Sequence, residues 1–172
     1  MVAFWLMPAV HEAALLDSLV RRLVEEHSAP VFEPHLTLFA GKIAAQPALH
    51  ALRTVRVRPL YELRVERIGY SDEFTKTFFI QFCHSAELQQ LSDALSSSVS
   101  ASGSYELNPH LSLLYKKLPR RTKAKLASVI SVPFRQVNFD RLQVVAGNDH
   151  TAQGEDVASW KTLAVRRLND TL

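Results

Sequence analysis

A chain of 172 residues with 47% hydrophobic and 22% charged side chains has the composition of one compact globular domain that can bury a sizeable core. Its net charge is only +3, and a single cysteine, Cys83, excludes an intramolecular disulfide and fits a reducing compartment. No run approaches the ~20 apolar residues of a membrane span, and the apolar start Val2 to Met7 is too short and lacks a positive leader, so a cytoplasmic protein without membrane association is expected.

Taken in chain order, Val2 to Met7 reads as a strand ended by Pro8. Ala14, Leu15, Leu19, Leu23 and Val24 recur at helical spacing between His11 and His27 and predict an amphipathic helix. A strand follows over Leu36 to Ile43, then a shorter helix opened by Pro47 and running to Val55. Strands over Tyr61 to Ile68 and Thr77 to Cys83 are joined by the polar stretch Ser71-Asp72-Glu73. A helix over Ala86 to Val99 is closed by the Ser/Gly-rich loop Ser100 to Ser104. Next come a strand over Leu111 to Tyr115, a helix over Arg121 to Ile130, and strands over Arg135 to Ala146 and Val157 to Leu168, the last two separated by the loop Gly147 to Asp156. Alternation interrupted by hairpin-like pairs predicts an α+β fold with largely antiparallel sheets.

Two phrases recur 75 positions apart: Pro34-His35-Leu36-Thr37-Leu38 and Pro109-His110-Leu111-Ser112-Leu113. Side chains alternate along a strand, so each phrase turns one imidazole and one hydroxyl to one face and packs its leucines behind them. The proline before each histidine favours extended backbone and sits poorly inside a central ladder, which puts both histidines at strand starts, where clefts open. A lone His-x-Thr is common and carries little information; the duplicated five-residue context does.

With Leu114-Tyr115 after the second copy, the pair resembles the 2H phosphoesterase superfamily, and within it the plant and yeast cyclic phosphodiesterases of the tRNA-splicing branch. Further stretches fit that branch in order: Phe4-Trp5-Leu6-Met7-Pro8, Phe32-Glu33-Pro34, Lys76-Thr77-Phe78-Phe79-Ile80-Gln81 and Ser159-Trp160-Lys161-Thr162-Leu163-Ala164-Val165. The resemblance spans essentially the whole chain. It implies a two-lobed, pseudo-symmetric α+β fold with one motif on the inner strand of each lobe and helices outside. It also implies an aromatic residue lining the pocket near the start, which points to Trp5; a core tryptophan is the equal alternative. The disulfides of the plant members have no counterpart beside Cys83.

Opening a cyclic phosphodiester needs a base to take a proton from water and an acid to give one to the departing sugar oxygen. Imidazole titrates near ~6.5, so His35 and His110 can fill both roles. Thr37 and Ser112 would donate to the non-bridging oxygens. Tyr115 would offer a further hydroxyl, but strict alternation turns it away from His110 unless the strand ends or bulges first. Of Phe78 and Phe79 at least one belongs in the core, and Trp160 reads as structural. No cofactor is expected, and no metal: His11, His27, His50, His84 and His150 lie at no ligand spacing, and one cysteine cannot build a thiolate site. Neither Thr37 nor Ser112 sits in a Gly-x-Ser-x-Gly elbow.

From Lys116 to Lys125 six cations fall in ten residues. A solvated helix face is the default reading; beside the cleft the run would concentrate anions. The sequence therefore points to a monomeric hydrolase of nucleoside 2′,3′-cyclic phosphates or ADP-ribose 1″,2″-cyclic phosphate. The alternatives are an enzyme acting on an RNA 3′ end, with 2′,3′-cyclic phosphodiesterase or 2′,5′ ligase-like activity, and a catalytically silent nucleotide-binding module.

Overall fold

The protein is described by a computed structural model over residues 1–99, 105–148 and 154–169. The loop expected at Ser100 to Ser104 and most of the one expected between Gly147 and Asp156 lie outside the described residues. The strands are β1 (Val2–Pro8), β2 (Leu36–Gly41), β3 (Tyr61–Tyr70), β4 (Phe78–Phe82), β5 (His110–Leu114), β6 (Gln136–Ala146) and β7 (Lys161–Arg167). The helices are α1 (Val10–His27), α2 (Ala45–Thr54), α3 (Ala86–Ser98), α4 (Arg120–Val129) and the short α5 (Gly154–Ala158).

Every strand pairing is antiparallel, in the order β1-β2-β5-β4-β3-β6-β7, and a further β1–β6 pairing closes six strands into a barrel-like ring with the helices outside. The α+β expectation with antiparallel sheets lining a central cleft is met, by one continuous sheet. The two lobes meet at β6 and at a single rung. Residues 136–139 of β6 pair with β3 and residues 141–146 with β7, while Leu36↔Leu111 is the one register pair joining β2 to β5.

Both motif strands bulge at the same place. Trp5 pairs with Thr37 but Phe4 with Phe39, so Leu38 is an extra residue in β2; Phe79 pairs with Ser112 but Phe78 with Leu114, so Leu113 is extra in β5. Each extra leucine lies three residues after the motif histidine. A bulge inserts one residue and reverses the alternation beyond it. Leu38 and Phe39, and likewise Leu113 and Leu114, can therefore both pack into the core. Bulges leave backbone groups without a ladder partner, and the buried Ser92 hydroxyl of α3 donates to the Leu38 carbonyl at 2.6 Å. Ser92→Ala would strand that carbonyl, with an expected stability loss of ~1–3 kcal/mol in denaturant unfolding; an unchanged midpoint would show that the carbonyl finds another donor.

Several elements depart from expectation. In α1 the buried stripe is Leu16, Val20, Leu23 and Val24, while Ala14 and Leu15 face solvent. The apolar set is wider than one face, and its rotation matches buried Glu12, whose Oε1 accepts from Asn138 Nδ2 at 2.8 Å. β2 ends at Gly41, short of Ile43, and α2 begins two residues before Pro47. Pro47 still falls in the first turn, where its missing N–H costs nothing. Val157 belongs to α5, so the last strand starts at Lys161, and a 3-10 turn over Phe74–Lys76 delays β4 to Phe78. No described helix is long and apolar enough to cross a membrane.

Candidate active site

A cleft of about 490 Å³ opens where the motif strands part, lined by residues of both. His35, Thr37, His110, Ser112, Tyr115 and Trp5, all anticipated from the sequence, lie on its wall. The two motifs hold their histidines alike. His35 Nδ1 lies 2.6 Å from the carbonyl oxygen of Glu33, and His110 Nδ1 lies 2.7 Å from that of Asn108. A carbonyl can only accept, so Nδ1 carries the proton in each ring and Nε2 is left as the nitrogen available for chemistry. The intervening Pro34 and Pro109 restrict the bend that brings each ring back over its own chain.

Their surroundings differ. His35 is 6% exposed and stacks on the Trp5 indole, ring centroids 3.6 Å apart and planes 10° from parallel, with Phe32 and Trp160 edge-on at 6.4 and 6.0 Å. Burial in this aromatic box pushes its pKa down to about 4, against the bond to Glu33, and the charge of His110 lowers it further. His110 is half-buried and lies against Phe79 at 5.7 Å, with the planes 74° apart. Its pKa is lowered by burial and by Lys76, while the Asn108 carbonyl and Glu73 oppose the shift.

Because the folded protein holds His35 neutral, the unfolded chain binds more protons between pH 6.5 and about 4. Stability from this group is thus complete above pH 6.5 and lost as pH falls through that window, by ~3 kcal/mol in all. Urea unfolding across the window should show this slope, and should show much less of it for His35→Phe; equal slopes would place the effect elsewhere.

Thr37 lines the cleft with no hydrogen-bond partner among the described residues. Ser112 instead donates to the Thr75 carbonyl at 2.6 Å. Tyr115 reaches the cleft because of the bulge at Leu113 and the end of β5 one residue before it. Its ring stacks on Phe32 at 3.8 Å, its hydroxyl meets Ser112, and burial raises its pKa, so it stays a donor. Trp5 lines the cleft, but its face toward His35 is taken by that ring. Phe78 is in the core, and Phe79 is on the cleft side with Ser112.

Some lining residues lay outside the sequence reading. Trp160, read there as structural, stands edge-on to Trp5, His35 and Tyr115 on the cleft wall. The lack of a side chain on Gly147 makes room for it, since a Cβ there would lie 2.4 Å from Trp160 Cδ1. Glu73, Thr75 and Lys76 come from the turn between β3 and β4. Ser71 Oγ donates to the Lys76 carbonyl at 2.8 Å and Thr77 Oγ1 to that of Glu73 at 3.0 Å, so the turn is tied internally.

The basic run contributes no lining residue. Lys123 is buried, with its ammonium bonded to the Ser71 carbonyl at 2.7 Å and paired with Asp72, so it braces the outside of this turn. Lys116 Nζ donates to the Ser28 carbonyl at 3.1 Å. Among the described residues no group of three or more His, Cys, Asp or Glu gathers as a metal-ligand set.

The same fold occurs in E. coli LigT complexed with 3′-AMP, with 19% identity, 98% of each chain covered and a TM-score of 0.62. TT0787 of Thermus thermophilus gives 19% identity and a TM-score of 0.62, covering 98% of this chain and 97% of that one. No curated protein sequence is significantly similar to this chain. The profile of the 2′-5′ RNA ligase superfamily matches residues 8–151, which takes in both histidine motifs and most of the sheet that presents them, and the chain belongs to that superfamily.

Proposed function

We propose that the cleft hydrolyses cyclic phosphodiesters, either nucleoside 2′,3′-cyclic phosphates or ADP-ribose 1″,2″-cyclic phosphate, to monophosphates, with His35 and His110 as the general acid–base pair and without a metal ion. The observation that carries this reading is the matched wiring of the two rings: each Nδ1 is tied to the carbonyl two residues back, on opposite lobes of one cleft. One neutral ring takes the proton of the attacking water through Nε2, and the other, protonated, returns one to the leaving oxygen. Each transfer is worth typically ~10²–10⁴ in rate. Burial favours the neutral form of both imidazoles, and the phosphate anion itself favours charging one of them once bound.

Thr37 has its hydroxyl free to donate to a non-bridging oxygen. Ser112 reaches the phosphate by turning from Thr75, or through Tyr115, whose proton stays in place. Trp5 acts mainly by keeping His35 dry and in orientation. The scattered matches to the plant and yeast branch favour a 2′-phosphate product from nucleoside substrates. The reading takes the protein as a cytoplasmic monomer.

Superfamily membership favours a second reading, opening of a 2′,3′-cyclic phosphate at an RNA 3′ end or the related 2′,5′ ligation. Purified protein incubated with EDTA and either cyclic mononucleotides or an oligonucleotide ending in a cyclic phosphate separates these. Turnover of the small substrates supports the first, turnover of RNA alone the second, and saturable binding without turnover leaves a nucleotide-binding module.

A further inference from the structure

The half-sites match in their histidine wiring and bulge but not in charge. Opposite Thr37 stands Trp5, flat against His35. Opposite Ser112 stands Phe79, with His110 at 5.7 Å and the Lys76 ammonium 4.7 Å from its ring centroid. Phe79 lies over the bare backbone of Gly69, where a Cβ would meet its ring carbons at 2.7 Å and the Arg67 Nη1 at 2.9 Å. Two cations therefore share the surroundings of one aromatic ring, beside one of the two histidines.

Lys76 is half-buried on the cleft wall; burial acts most strongly against its ammonium, the charge of Glu73 supports it and that of Arg67 opposes it. Neither cation forms an ion pair with a described carboxylate. Glu73 is the one carboxylate on the lining and Lys76 the one lysine or arginine there; Arg67 is exposed and stands outside the lining, beside Phe79's neighbour Gly69. The turn that carries Lys76 is tied internally and braced by Lys123, its ammonium rests over the Phe79 ring, and Glu73 acts on that charge from beyond ion-pair distance.

We propose that Lys76 and Arg67, arranged around Phe79 beside His110, form a second anion subsite that takes a non-reacting phosphate of the substrate. The proposal rests on the cyclic phosphodiesterase reading and narrows it: the preferred substrate carries a phosphate beyond the cyclic one. That group is the preceding phosphodiester of an RNA end or the pyrophosphate of an ADP-ribose derivative; the chemistry recognised is the same.

The test compares a dinucleotide 2′,3′-cyclic phosphate, ADP-ribose 1″,2″-cyclic phosphate and a nucleoside 2′,3′-cyclic phosphate on wild type, Lys76→Gln and Arg67→Gln. Lys76→Arg serves as the conservative control. Wild type should favour at least one of the first two by about tenfold or more in kcat/KM, and which one identifies the source. Each glutamine variant should lose about tenfold more on that substrate than on the mononucleotide, chiefly through KM, with Lys76→Arg restoring most of it.

Equal losses on all substrates, or no preference in wild type, would overturn the subsite while leaving the hydrolase reading intact. If wild type turns over none of them, the hydrolase reading fails first. Calorimetric binding of adenosine 3′,5′-bisphosphate against 3′-AMP then decides the subsite: the affinity gained from the extra phosphate should vanish in the Lys76→Gln/Arg67→Gln double variant, and its persistence would exclude it.

Discussion

Replacing His35 or His110 by alanine is expected to lower kcat for cyclic phosphate hydrolysis by about 10²–10⁴-fold each, because either change removes one of the two positioned proton transfers. The double variant should be little worse than the poorer single one, as expected for groups that act as a unit. Folding should survive differently in the two cases. His110 is half-buried and its loss opens little, whereas His35 fills a dry slot between Trp5, Phe32 and Trp160. Its alanine variant therefore needs a circular-dichroism melt beside the assay, with His35→Gln as a better filled comparison. Thr37→Ala and Ser112→Ala should lose less, chiefly by holding the phosphate more weakly. Retention of more than about a tenth of wild-type kcat by either histidine variant would exclude paired acid–base catalysis.

The other large effect is expected at Trp5. Trp5→Ala would empty the slot against which His35 stacks and which Trp160 closes at 5.1 Å, and large-to-small changes of this kind cost ~3–5 kcal/mol. The same change admits water to the imidazole. Burial is the leading cause of its low pKa, so the His35 titration should move up from about 4 toward the ordinary value near 6.5. Histidine ring resonances followed by NMR from pH 3.5 to 8 would show this directly, and the acid limb of the rate profile should move with them. A His35 titration left near 4 in the alanine variant would mean that its neighbours other than Trp5 depress it.

The sequence made the duplicated motif visible because both halves of the site use the same short phrase, and periodicity 2 places its histidine and hydroxyl on one face. Most element positions were legible for the same reason, being written in local pattern. What escaped depends on pairing across strands. The bulges at Leu38 and Leu113 carry no composition signal, yet they decide that Tyr115 returns to the cleft and that Phe39 leaves it. Trp160 could not be placed, since its position depends on a glycine thirteen residues earlier. Lys76 stood only within a stretch that fits the resembled branch, with nothing to mark its charge, whereas the conspicuous run from Lys116 to Lys125 supplies a brace rather than a lining. In α1 nine apolar side chains offered more than one stripe, and contact with β6 through Glu12 and Asn138 accompanies the one chosen.

Tethering each imidazole to the carbonyl two positions upstream has a bearing on the direction in which the chemistry can run. Both rings keep Nε2 as the free nitrogen, so neither is committed by its own anchoring to giving or to taking a proton; in the proposed reaction the orientation of the ester would allot those duties. Nothing in that arrangement distinguishes ring opening by water from ring closure or from attack by another hydroxyl, and microscopic reversibility demands that one apparatus serve forward and backward passage alike. Under the proposed acid–base chemistry, such a scaffold would be turned from cleavage to joining by what is bound and at what concentration, with no change to the two histidines.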